Sequence, residues 1–184
     1  MSAPGSVYEE LSAHDIAFTG IEEAITGWVR EALELRHGSA GDPEGRIGVP
    51  EATASMNEIL VLLLRVRVRS DRVDELLAKC TQARGRAKRA QDQASFSAEV
   101  AYDEASRNNA ARRTVEFSSA RERHADASLD SLEQRRVAHH AARLVSVTVE
   151  AYEVVNQIHW QLDGIRKDLR GSLHALQFET SLER

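Results

Sequence analysis

Ile59, Val66, Val73, Cys80, Ala87, Ala94 and Ala101 follow one another at intervals of seven residues. Farther along, Val137, Ala141, Leu144, Thr148, Ala151, Val155, Ile158, Leu162, Ile165 and Leu169 alternate by four and three. An α-helix turns once in 3.6 residues, so an apolar repeat of 3.5 lays a nearly straight seam along one side, which another helix must cover. No proline occurs after Pro50, and only Gly85, Gly164 and Gly171 interrupt good helix formers beyond it. These features predict an all-α fold: a long antiparallel helical hairpin, coiled-coil in character, with an N-terminal helix packed on its base.

Three segments follow from the same reading. Residues 1–37 form an N-terminal helical segment, with a loose tail at 1–6. Its helix runs from about Val7 to Arg36 and has a potential break at Thr19-Gly20. The best-patterned part carries Ile21, Ile25, Trp28, Ala32 and Leu35, again spaced by four and three. Residues 38–50 hold most of the glycine and proline in this half of the chain and read as a loop. Pro50 and Glu51 suit the first turn of the next helix, where a missing N–H is harmless and negative charge is favoured.

Residues 51–184 are then the hairpin. A single helix this long would leave its seam uncovered, so the chain must turn back, and the turn is expected near 106–110. Folding there, with paired numbers summing to about 216, lays the apolar stretch 57–68 against 142–158. It also sets Asp103 and Glu104 against Arg112 and Arg113, and Arg84, Arg86, Lys88 and Arg89 against Asp126, Asp130 and Glu133. Asn108 and Asn109 tolerate the backbone a turn needs. The seam thins from Ile and Val to Cys80 and then Ala, and small residues permit close approach of helices. Between Leu132 and Val137 the spacing slips to five, which predicts a stutter. Residues 59–64 are apolar all round, so a third helix is expected to cover them, with the stretch to Leu176 and Phe178 helping.

Composition narrows the functional classes. One cysteine forms no internal disulfide, and the acidic first fifteen residues have no apolar core of a secretory signal, so a cytoplasmic location is expected. The longest apolar run is too short to span a bilayer, and no transmembrane segment is expected. Arg outnumbers Lys 21 to 3 although their helix propensities are alike. Such a skew accompanies GC-rich genomes and suggests a bacterial source.

Candidate chemistry is sparse. A bundle di-metal site needs two Glu-x-x-His pairs with further carboxylates, and Glu34 and His37 supply only one. His159 and Asp163, one turn apart, read as an ion pair. Cys80 sits in the seam and reads as a small buried hydrophobe. No phosphate loop or nucleophile elbow is present, so no catalytic residue, metal or cofactor is expected. Arg65, Arg69 and Arg72 share a helix face, and 84–89 (RGRAKR) resembles a nucleic-acid patch. Against that reading stand a net charge of −5, the absence of interleaved aromatics, and the acids expected opposite both clusters, Glu150 and Glu153 near Arg65 and Arg67, and Asp126, Asp130 and Glu133 facing 84–89.

The sequence therefore predicts a non-enzymatic structural or adaptor protein that acts through helix-mediated contacts with a protein partner, a second copy included. Tyr8, Leu11, Ile16 and Phe18 have no evident internal partner and form the first docking candidate. Asn108, Asn109, Arg112 and Arg113, at the expected turn, form the second. Two other readings are weaker. A helical-hairpin substrate or chaperone of a specialised bacterial secretion system fits acidic Ala-rich helices, but the chain lacks a WXG turn and a Tyr followed four residues later by an acid. Nucleic-acid binding rests on the arginine clusters alone. The heptads identify a geometry shared by many unrelated proteins.

Overall fold

The structure, a computed structural model, describes residues 5–37, 54–111 and 120–182, with side chains except at 5–19, 37, 111 and 121. Among these residues the fold is all-helical: α1 (Gly5–His37), α2 (Met56–Ala111), α3 (Ala120–Asp130) and α4 (Leu132–Leu182). No helix in this set is long and apolar enough to cross a membrane.

Helix α1 passes through Gly20 without the expected break. One glycine costs a helix only about 1 kcal/mol relative to alanine, too little to interrupt a helix whose face is buried. The expected helix start at Pro50 and Glu51 lies outside the described residues. Ala54 and Ser55 are not helical, so α2 begins at Met56. Its first turn is closed by a reciprocal cap. The Ser55 backbone N–H donates to Glu58 Oε2 at 2.6 Å, and the Glu58 N–H donates to Ser55 Oγ at 3.4 Å. The Ser55 hydroxyl also donates to Oε2 at 2.9 Å. This capping box satisfies N–H groups that the first turn would otherwise leave without partners.

At its other end α2 continues through Ala111, so the turn expected at 106–110 is helical instead. Ala105 and Asn109, four residues apart, extend the inward stripe and are both buried. Burial outweighs the modest helix cost of two asparagines. Arg112 and Arg113 lie outside the described residues. The expected pairing changes accordingly. Tyr102 on α2 meets His124 on α3, numbers that add to 226. Asp74 on α2 meets His159 on α4, adding to 233. Neither contact fits a register summing to 216.

Helices α3 and α4 are separated by Ser131, next to the expected stutter. Ser131 is buried, and both its N–H and its Oγ engage the carbonyl of Ala127, at 3.2 and 2.9 Å. A hydroxyl competing for the same carbonyl bends helices. Leu132, next in sequence, is 39% exposed, so the inward position falls on Ser131.

The chain divides into two compact units. The first holds Met1–Glu23 and Gln82–Val149. Its buried positions are mostly small: Ala83, Ala87 and Ala105 on α2, Ala127 on α3, Ala141 and Thr148 on α4, with Leu144 the large exception. Glu22 of α1 lies 3.8 Å from Arg143 of α4, so a segment of α1 joins the other helices in this unit. The second unit holds Ala24–Thr81 and Glu150–Arg184. Here the core is larger: Ile25 and Ala32 of α1, Ile59, Val66, Val73, Leu76 and Cys80 of α2, and Ala151, Val155, Ile158, Leu162 and Leu169 of α4. Ile59, Val66 and Leu169 form one cluster, against which Leu62, Leu63, Ile165, Leu173 and Leu176 pack.

Candidate functional site

The seam of α2 points Ile59, Val66, Ser70 and Val73 inward in the second unit. On a helix that choice leaves Leu60, Val61, Leu64 and Val68 turned outward. They are 43, 49, 63 and 69% exposed. The all-round apolar character of 59–64 is thus not covered as expected. Leu62 and Leu63 pack on the core cluster, and Leu173 and Leu176 join them, while Phe178 and Leu182 remain exposed. One covering helix meets one side of α2, and α1 meets the side that carries Arg69 and Arg72. Arg69 Nη1 donates to the Leu35 carbonyl at 3.3 Å, near the α1 C-terminus, where carbonyls lack intrahelical partners. Arg72 Nε lies 2.5 Å from Glu31 Oε1, and its Nη1 2.5 Å from Glu75 Oε2. Glu31 first, then Glu75, hold this guanidinium firmly protonated.

Leu60, Leu63 and Leu64 line an open groove of about 530 Å³. Arg67 and Asp71 of α2 and Arg166 and Arg170 of α4 complete its lining. Arg166 is held in place by Asp163, one turn earlier, which also receives Lys167 Nζ at 2.8 Å. The Lys167 ammonium, and then Arg166, keep the Asp163 carboxyl below the usual range, so the anchor stays ionised. Arg67 and Arg170 form no ion pair among the described residues. The groove lining therefore combines three leucines, three arginines and a single acid, an arrangement that suits holding an apolar, anionic partner.

His159 takes a different partner from the one expected. His159 engages Asp74 of α2 rather than Asp163, because Asp163 already serves two permanent cations. His159 Nδ1 is 2.7 Å from the carboxylate but is not aligned for a hydrogen bond. Among the described residues no three His, Cys, Asp or Glu side chains are grouped so as to hold a metal ion. Cys80 is buried in the seam, and burial pushes its thiol up.

Tyr8, Leu11, Ile16 and Phe18 belong to α1, and their side chains lie outside those described. Asn108 is exposed, whereas Asn109 is 1% exposed, and its side-chain nitrogen has no hydrogen-bond partner among the described residues. In the 84–89 stretch, Lys88 pairs within its own helix with Asp92 at 3.1 Å. The groove was missed by sequence reasoning. Its signal was there as an apolar surplus, Leu60, Leu64 and Val68 at spacing four outside the seven-residue seam. No family model, no curated protein and no solved structure matches the chain.

Proposed function

We propose that the protein is a non-enzymatic structural or adaptor element that works through helix-mediated contact with a protein partner. In this reading α2 and α4 are the antiparallel arms of a helical hairpin, and α1 packs alongside them. Support for the arrangement comes from the second unit. There Asp74 meets His159, while Ile59 and Val66, earlier on α2, cluster with Leu169, later on α4.

The observation that carries the functional reading is the outward stripe Leu60, Leu64 and Val68. Single exposed apolar side chains are ordinary, but a continuous row beside a groove marks a contact surface. Tyr8, Leu11, Ile16 and Phe18 remain the second docking set. The test is photo-crosslinking in the cells of origin, with benzoylphenylalanine replacing Leu64 or Phe18 in turn, and Lys79, exposed elsewhere on α2, as the control. A discrete protein adduct at Leu64 or Phe18, absent at Lys79, is expected. No adduct at either position would remove the adaptor reading.

A further inference from the structure

The exposed row and the groove share Leu60 and Leu64, and together they describe their occupant. We infer that the groove receives an amphipathic helix with an acidic flank, supplied by a different protein; this rests on the adaptor reading and names its partner's chemistry. Leu60, Leu64 and Val68 lie on one ridge of α2 at spacing four, over about 12 Å at 1.5 Å per residue. Such a ridge packs into the groove of a second helix, and about two turns of apolar side chains at i, i+3 or i+4, and i+7 match its length. An extended strand would find no sheet edge here, because the described residues contain no strand.

Charge selects among helices. Arg67, Arg166 and Arg170 stand around the leucines against one acid, Asp71. Arg166 is shared with Asp163, but Arg67 and Arg170 are not paired among the described residues. A partner whose apolar face is bordered by Glu or Asp meets these guanidinium groups with complementary charge, which raises on-rate and fixes register. A second copy of the same face does not. Placing Leu64 on Leu64 and Leu60 on Val68 in a two-fold pair sets Arg67 over Val61 and Asp71 over Asn57, so neither charge directly faces its opposite. Arg166 and Arg170 would add like charge on both sides.

The test uses the full chain and two labelled, helix-stapled peptides, each with leucines at i, i+3 and i+7. One carries glutamates along both borders, and its twin carries lysines at those positions. Fluorescence anisotropy should show saturable binding of the glutamate peptide, weakened by salt, with the lysine twin weaker by at least about tenfold. Arg170→Glu should reverse that preference, and Leu64→Asp should abolish binding. Both sites are exposed, so the fold should survive, which circular dichroism checks. If Leu64→Asp unfolds the chain, the Arg170→Glu charge reversal decides alone. Equal binding of the twins, binding of neither, or no change on Arg170→Glu overturns the inference. So does a concentration-dependent dimer in sedimentation velocity that Leu64→Asp dissolves, which would give the groove to a second copy. A crosslinked partner at Leu64 together with silent peptides would leave the adaptor reading standing and remove only this inference.

Discussion

His159 Nδ1 on α4 lies 2.7 Å from Asp74 Oδ1 on α2. This contact sets which turns of the two helices face each other in the second unit. As an exposed pair its own energy is small, about 0–1 kcal/mol. Its value is as a marker of register, because side chains that touch at this distance admit only a narrow range of helix offsets.

The register gives the first prediction. In a Cys80→Ala background, the pair Asp74→Cys and His159→Cys should be joined by a short bismaleimide within the monomer. The pair Ala94→Cys and Glu122→Cys, which a register summing to 216 would bring together, should be joined far less. The readout is the mobility shift of the internally linked band on a denaturing gel. Efficient linkage at 94 and 122 with none at 74 and 159 would restore the earlier register and reject the one seen.

The cap of α2 gives the second. Ser55→Ala should lower stability by about 1 kcal/mol, as loss of a serine cap does. Glu58 accepts from the Ser55 backbone N–H and then from its hydroxyl, and these bonds hold its carboxyl below the ordinary value. A carboxylate whose folded pKa is depressed stabilises the fold above its unfolded pKa, about 4.3, and that contribution is lost as pH falls through the folded pKa. Wild type should therefore melt above Glu58→Gln at pH 7, and the gap should narrow progressively as pH falls through the folded pKa. A gap that persists unchanged in acid would mean the charge of Glu58 plays no part in the cap.

How much of this was legible follows from where the information lies. The inward positions of α4 were readable because an alternation by four and three has one geometric meaning: Ala141, Leu144, Thr148, Ala151, Val155, Ile158, Leu162 and Leu169 are all buried. The capping box was readable too, as Ser55-x-x-Glu58 before an apolar run, but Pro50 and Glu51 offered a competing start. The end of α2 was not readable. Asparagines at 108 and 109 favour turns locally, and only the burial of Ala105 and Asn109 shows that packing won. The partner of His159 was hidden for the same reason. A cross-helix contact depends on register, and register depends on where the chain reverses. The groove was half-legible: the surplus leucines were visible, while their exposure depended on which side of α2 receives α1.

The thinning seam gives the third prediction. Leu76 is fully buried, so Leu76→Ala should cost about 2–5 kcal/mol in urea denaturation. Leu64→Ala, on the outward ridge, should stay within about 0.5 kcal/mol. In the first unit the sign of the size effect reverses. Ala87 and Ala141 are buried where only a methyl group is present, and Ala87→Leu or Ala141→Leu should destabilise by about 1–3 kcal/mol through overpacking. If either leucine variant were more stable than wild type, the small-residue contact would contain unfilled space and the close approach inferred from the alanines would be wrong.

Cys80 supplies the last prediction, and it turns on pH in the opposite sense to Glu58. The thiol is buried, and burial raises its pKa by opposing the thiolate. A thiol whose folded pKa lies above the unfolded one, about 8.5, contributes stability that is complete below the unfolded value and is lost as pH rises through the folded value. Wild type should thus lose melting temperature in the alkaline range more steeply than Cys80→Ala, in which that group is gone. The same burial should make the native thiol react with a disulfide reagent at least about a hundredfold more slowly than in guanidinium, because attack must wait for local opening. Fast native labelling with a shallow alkaline limb would place the sulfur at the surface. It would break the seam at the point where Val73 hands over to Ala87.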